Sequence, residues 1–167
     1  TLEAYKKVIG DVDKESPSVL TYFLDGSRKT YKVADVIIDG RYLPLIAGQV
    51  GVCVIKRMDD DRRLMPVKEL CTFKNVIAFP DKANENDLKH LQCEISHQAG
   101  VNFELLRYAV KTGADPVDLG VAKIMSVMHD TEIDAVQQMA SKHLLTNDHL
   151  LVLDGPLRFK KKFDLVQ

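Results

Sequence analysis

Residues Val19 to Ser27 read V-L-T-Y-F-L-D-G-S. Apolar and β-favouring residues run directly into Asp25, and the Gly-Ser pair after it has the composition of a turn. The pattern therefore predicts a strand that ends at a carboxylate. A second stretch near the other end of the chain repeats this design, because the run L-L-V-L at 150–153 leads into Asp154 and a Gly-Pro pair.

The two Asp-Gly pairs predict a metal site. Two buried strands that each end in Asp-Gly can place their carboxylates side by side at one edge of a sheet. Like charges held that close repel each other unless a cation lies between them. Oxygen ligands without His or Cys favour Mg²⁺ or Mn²⁺ over Zn²⁺. We therefore interpret Asp25 and Asp154 as ligands of a divalent metal ion.

The length and composition are typical of one globular domain. The chain has 167 residues, of which 46% are hydrophobic and 28% are charged, and no apolar run approaches the roughly 18 residues of a membrane span. The start, T-L-E-A-Y-K-K, lacks the apolar core of a secretory signal, and the missing initial Met indicates a trimmed or partial chain. We predict a tether or short helix over residues 1–15 and one domain over residues 16–167.

The three cysteines, Cys53, Cys71 and Cys93, are an odd number at wide spacings. This arrangement is typical neither of a disulfide framework nor of a Cys-x-x-Cys zinc site. A reducing compartment is the simplest interpretation, so the sequence predicts a cytoplasmic protein.

The first third of the chain has the pattern of an antiparallel meander. After the Asp25 strand, residues 30–38 are rich in β-favouring side chains, and Asp39-Gly40 is a strong two-residue hairpin signal. Residues 49–56 alternate and then become fully apolar, as a third strand would.

Helices are predicted to follow the strands. One, capped by Asn86 or Asp87, is expected to run through residue 98, and another is expected over residues 103–111, each with a glycine shortly after its end. Asp115 and Pro116 open a longer helix as N-cap and first helical residue, and 150–153 is a last strand parallel to the first. This order predicts an α/β fold with a ribonuclease H-like mixed sheet, in which a three-strand antiparallel meander is followed by helices and a parallel strand.

The long helix carries an acidic residue on its apolar side. Glu132 lies one helical step after Met128 and should face the sheet, where a carboxylate needs a cation, a salt bridge or a metal. Alternatively, the helix breaks at residues 129–131, and Glu132 is then a first-turn residue at the positive end of the helix dipole. The apolar positions that repeat with helical period are Val117, Val121, Ile124, Met125, Met128, Ala135, Val136 and Met139.

Basic residues follow both Asp-Gly pairs, although the net charge is only -1. If the two strand ends meet, these cations come together and suit a phosphate backbone. The alternative is that they are solvated surface side chains. The predicted DNA-binding residues are Arg28, Lys29 and Lys32 after the first pair, and Arg158, Lys160, Lys161 and Lys162 after the second.

Three carboxylates form the predicted catalytic site. Asp25, Glu132 and Asp154 come from a first strand, a helix and a later strand, positions that converge in a ribonuclease H-like arrangement. Two Mg²⁺ or Mn²⁺ ions about 3.5–4 Å apart can activate a water, hold the scissile phosphate and stabilise the leaving 3′ oxygen. His149 lies at the opposite end of the last strand from Asp154, and we interpret it as structural.

The motifs F-L-D-G-S and L-V-L-D-G-P-L, with a helix glutamate between them, resemble those of the NurA family of DNA-repair nucleases over roughly residues 19–157. The resemblance implies that Asp25, Glu132 and Asp154 are the metal ligands of a Mn²⁺- or Mg²⁺-dependent deoxyribonuclease. It implies 5′-to-3′ exonuclease activity, single-strand endonuclease activity, or both.

The same resemblance implies partners. It suggests a homodimer that works with a HerA-type hexameric translocase at DNA ends, in double-strand-break repair or end resection. NurA proteins are usually longer and add active-site residues, including a histidine, from a C-terminal part, so we expect this chain to be C-terminally incomplete. The alternative function is a non-catalytic DNA-binding or assembly subunit of a motor ATPase complex.

Overall fold

A computed structural model describes residues 18–59 and 62–155 of the chain. In this part the helices are α1 (Glu85–Ala99) and α2 (Pro116–Ser141), and a short 3₁₀ helix spans Lys68–Leu70. The strands are β1 (Leu20–Ile38), β2 (Arg41–Arg57), β3 (Leu64–Pro66), β4 (Thr72–Pro80), β5 (Glu104–Tyr108) and β6 (Leu150–Leu153). The predicted tether over residues 1–15 lies outside the described residues.

The strands form one six-stranded mixed sheet in the order β5-β4-β2-β1-β6, with β3 paired to β2. β1, β2 and β4 make an antiparallel meander, and β6 lies parallel to β1. The three strands predicted within residues 19–56 are only two, β1 and β2, and the third strand of the meander is β4. The α/β class and the parallel pairing of the last strand with the first are therefore confirmed. β5 pairs in parallel with β4 at the opposite edge, so the first strand after a helix does not lie beside β1.

The turn predicted directly after Asp25 is wrong. β1 continues through this point, and Gly26 pairs with Val52 of β2. β2 pairs with β1 from Tyr22 to Ile38, and this pairing overrides the turn preference of the Gly-Ser pair. The chain reverses instead at Asp39 and Gly40, whose φ angles of 51° and 71° suit a two-residue hairpin turn, as predicted.

The helix predicted over residues 103–111 is also wrong, because this segment forms β5. Leu106 and Tyr108 are buried while Arg107 between them is exposed, so the segment has the two-residue period of a strand. The Tyr108 hydroxyl donates a hydrogen bond to the Pro44 carbonyl at 2.8 Å. Burial, together with the nearby carboxylates of Asp35 and Asp81, raises the pKa of Tyr108 to about 12.

Helix α2 forms as the sequence predicts. The Asp115 side chain accepts a hydrogen bond from the Val117 amide at 2.8 Å, and Pro116 is the first helical residue. The helix continues without a break through residues 129–131. The alternative in which Glu132 begins a new helix is therefore wrong.

The core lies mainly between α2 and one face of the sheet. One cluster joins α2 to β1 and β2 through Tyr22, Leu24, Val52, Val54, Leu70, Ala135 and Met139. A second joins it to β2, β4 and β5 through Ile46, Val50, Val76, Ala78, Leu106, Tyr108 and Ile124. Helix α1 covers the other face only at one end, where Leu88 packs on Leu45 and Phe79. The part of that face nearer Asp25 has no described helix on it.

The cysteines differ from the prediction. Cys53 of β2 and Cys71, which precedes β4, are joined by a disulfide that the cysteine spacing did not predict. Antiparallel pairing of these strands brings the two cysteines close in space although they are 18 residues apart in sequence. Cys93 is free and exposed.

Neither described helix is long and apolar enough to cross a membrane.

Replacing Tyr108 with Phe should lower the free energy of unfolding by about 1 kcal/mol at neutral pH, because one buried hydrogen bond is lost. The raised pKa means that the fold favours the neutral phenol. Its contribution is present in full below pH 10 and is lost as the pH rises towards 12. Urea unfolding of both proteins at several pH values measures this, and a difference that stays constant up to pH 12 would contradict it.

Candidate functional site

The structure brings Asp25 and Asp154 together. Leu24 of β1 pairs with Leu153 of β6 in parallel register, and each aspartate is the next residue along its chain. Neighbouring strands lie about 4.8 Å apart, so the two positions are adjacent. Both aspartates are exposed and line one cavity of about 450 Å³.

This cavity, called here the aspartate cavity, lies on the sheet face opposite α2. Its walls are largely apolar and come from β1, β2, β4 and β6. Besides the two aspartates, the residues that shape it are Phe23, Ser27, Gly51, Ile55, Phe73 and Val152. The two carboxylates are therefore set in an apolar concavity that is open to solvent.

Glu132 faces the sheet, as predicted, but it lies on the face opposite the aspartate cavity. Its side chain is only 13% exposed, and Oε2 lies 3.0 Å from Nδ1 of His129 on the same helix. The carboxylate lies directly over Gly26, where a Cβ atom would overlap it and would lie 3.0 Å from Cγ of Met128. Gly26 thus creates the space that the Glu132 carboxylate occupies.

The backbone of β1 separates Glu132 from the two aspartates. Successive residues of a strand point to opposite faces, so Gly26 faces α2 while Asp25 faces the aspartate cavity. Within the described ranges, no group of three or more His, Cys, Asp or Glu side chains is close enough to hold a metal ion. All three predicted ligands therefore lie next to the same short segment of β1, but they do not converge on a common point at which they could bind one metal ion.

The pair of aspartates fits a hard divalent ion. Mg²⁺ is commonly held by one or two carboxylates, with waters and substrate phosphates as the other ligands. Asp25 and Asp154 supply such a pair in a cavity open to solvent. A site that needs all three carboxylates on one ion does not fit this arrangement, because Glu132 lies on the opposite face.

The predicted basic residues do not share one face. Lys29 lies on the cavity side of β1, and its ammonium group is 5.5 Å from the centre of the Tyr31 ring. A hydrogen bond with Tyr31 and the charge interaction between the two groups raise the pKa of Lys29. Arg28 instead reaches Sδ of Met125 on α2 at 3.7 Å. Arg158, Lys160, Lys161 and Lys162 lie outside the described residues.

Lys32 and Arg57 are two further cations near β1. Lys32 forms a 2.8 Å ion pair with Asp35, so part of its charge is already compensated. Arg57, which the sequence analysis did not single out, lies over the ring of Phe23 with 5.1 Å between the guanidinium carbon and the ring centre. Because Phe23 lines the aspartate cavity, Arg57 places positive charge at one end of it and Lys29 lies towards the other.

Two further residues lie at or near the site, His149 and Phe73. Nδ1 of His149 lies 3.0 Å from Oγ1 of the buried Thr21, so this histidine ties the start of β6 to β1. Its structural role is consistent with the prediction. Phe73 lines the aspartate cavity and was not predicted, because nothing in its sequence context distinguishes it from a core residue of β4.

The chain matches no protein-family model and has no significant match among curated proteins. Support for a function therefore comes from the motifs and from the geometry of the site.

Replacing Gly26 with Ala should destabilise the protein by about 1–3 kcal/mol, because the new methyl group overlaps the Glu132 carboxylate. Most of this loss should disappear in the double variant Gly26→Ala, Glu132→Ala, in which the overlapping group is removed. Urea unfolding of both single variants and the double variant gives the coupling energy. Simple additivity of the two single effects would show that the two residues are not in contact.

Proposed function

We propose that this protein is a divalent-metal-dependent nuclease that hydrolyses phosphodiester bonds at DNA ends, built on a ribonuclease H-like domain as the NurA resemblance implies. The observation that carries the proposal is the adjacency of Asp25 and Asp154 at matching positions of parallel strands, in one open cavity. Two unrelated stretches of sequence, 129 residues apart, place the same Asp-Gly pair at this point.

The chemistry follows from the side chains in the cavity. Mg²⁺ or Mn²⁺, as one ion or two, would be held by Asp25 and Asp154 and would polarise the scissile phosphate and activate a water. The aspartates, as anions, repel a bare phosphate, so DNA binding and metal binding are coupled in this proposal. Glu132 is the third acidic residue, and its contact with His129 fixes its orientation beside β1.

The partners belong to the same proposal. Lys29 and Arg57 provide positive charge on the cavity side of the sheet for the DNA backbone. The homodimer and the HerA-type hexameric translocase come from the NurA resemblance, as do the exonuclease and single-strand endonuclease activities.

One observation favours a second candidate, a non-catalytic DNA-binding or assembly subunit of a motor ATPase complex. Glu132 lies across β1 from the aspartates, so the described residues do not form a closed three-carboxylate site. A protein of this kind would retain the fold and the basic side chains and would bind DNA without cleaving it. The two candidates differ in whether cleavage depends on Asp25 and Asp154.

Replacing Asp25 or Asp154 with Asn should abolish metal-dependent cleavage of end-labelled linear DNA, because each variant loses one negatively charged ligand. The assay compares Mn²⁺, Mg²⁺ and chelator. Asp134→Asn is the matched control, since this exposed aspartate lies on α2 away from the aspartate cavity and its loss should leave cleavage unchanged.

Circular dichroism verifies that the aspartate variants are folded, which is expected because both positions are exposed. Undiminished cleavage in both variants would overturn the site. Metal binding by the parent protein without cleavage, measured by calorimetry, would favour the non-catalytic subunit.

Lys29 and Lys32 should contribute differently to DNA binding. Lys29→Gln should reduce the slope of log affinity against log salt concentration by about 0.7–0.9, the value of one phosphate contact. Lys32→Gln should change the slope less, because Lys32 is already paired with Asp35. Fluorescence anisotropy over a salt series measures both, and equal slopes for Lys29→Gln and the parent would exclude Lys29 from the DNA contact.

A further inference from the structure

Phe73 is an exposed aromatic residue on a wall of the aspartate cavity. It is 75% exposed, although it belongs to β4, most of whose later residues are buried. Helix α1 covers this face of the sheet further along β4, at Phe79, and no described helix reaches Phe73. An exposed aromatic ring on the wall of a cavity offers apolar area that a bound ligand can bury.

Gly51, the residue of β2 that pairs with Phe73, determines where the Phe73 ring lies. Phe73 pairs with Gly51, and Gly51 pairs in turn with Ser27 of β1. A Cβ atom at Gly51 would lie 3.0 Å from Cε1 of Phe73, so the ring extends over Gly51 towards β1. The missing side chain at Gly51 therefore allows the ring to reach over the sheet towards the strand that carries Asp25.

The cavity side of β1 carries aromatic rings together with charges of both signs. Arg57 over Phe23 lies at one end, Asp25 with Asp154 follows, and Lys29 over Tyr31 lies further along the strand. A nucleic acid presents charged phosphates and flat bases in alternation. The surface is complementary to it, because cations flank the position at which a metal-bound phosphate would lie.

We propose that Phe73 is the stacking residue for an unpaired nucleobase of the DNA strand whose phosphate is held at Asp25 and Asp154. This inference rests on the proposed nuclease function and names the residue that positions its substrate. An aromatic ring stacks on any base, so Phe73 favours unpaired DNA without selecting a sequence. A paired base has its faces covered by its neighbours in the duplex, so the stacking requires a frayed end or a single strand.

The test is a binding measurement that does not depend on cleavage. A short single-stranded oligonucleotide with 2-aminopurine at one position is titrated with the full chain in Ca²⁺, a hard ion that takes oxygen ligands. Electrophoresis verifies that the oligonucleotide stays intact. Stacking on Phe73 should quench the fluorescence of the 2-aminopurine.

Phe73→Ala should remove the quenching and weaken binding by about 5-fold to 150-fold, the range for one stacked base. Phe73→Trp should retain both, because it restores a flat ring. Tyr42→Ala is the matched control. Tyr42 is 72% exposed and pairs with Ile37, twelve residues along β1 from Asp25, which is about 40 Å in an extended strand.

The outcomes separate the two proposals. Quenching that only Phe73→Ala removes, in a protein that never cleaves DNA, supports the stacking and overturns the nuclease. Metal-dependent cleavage by the parent, with equal affinity and quenching in Phe73→Ala and Tyr42→Ala, overturns the stacking and leaves the nuclease in place. A change of oligomeric mass in Phe73→Ala without a change in affinity also overturns it, since a second copy of the chain would then cover the ring.

Discussion

The close approach of α2 to the β1-β2 pair is the contact on which the site depends. Glycines permit it on both sides: a Cβ atom at Gly48 would lie 2.9 Å from Ile124, and one at Gly120 would lie 2.7 Å from Ile46. With the helix this near the sheet, a glutamate one turn after Met128 meets the backbone of β1 at Gly26. The acidic side chain is therefore positioned by the same packing that buries Ile124 and Met139.

The alternation of side chains along β1 then decides what the carboxylates can do together. Asp25 and Gly26 are consecutive residues of a strand and therefore point to opposite faces of the sheet. Because Gly26 faces α2, the Asp25 side chain points away from this helix. Asp154 follows the parallel partner of Leu24 and joins Asp25. The consequence is a two-carboxylate cavity on one face and a glutamate paired with His129 on the other.

The sequence predicts features that depend on local chemistry or on a regular period. The hairpin at Asp39-Gly40, the cap at Asp115 and the inward direction of Glu132 all have such signals. It does not predict the uninterrupted β1 or the strand β5, because long-range pairing overrides local preference there. The disulfide and the exposure of Phe73 were missed for the same reason, since both depend on which strands become neighbours.

The position of α1 explains why part of one sheet face has no described helix over it. α1 is held at the β4-β5 end by Leu88 and by the ion pair between Glu85 and Arg107 on β5, so it cannot also cover β1. The sheet is wide enough to leave Phe23, Phe73 and the two aspartates without a described helix over them. The two aspartates are the charged groups among the described residues that line the cavity, so a cation that enters it is attracted to them. The uncovered cavity is thus the surface on which the proposed ligand, a metal-bound phosphate with an unpaired base, would bury apolar area.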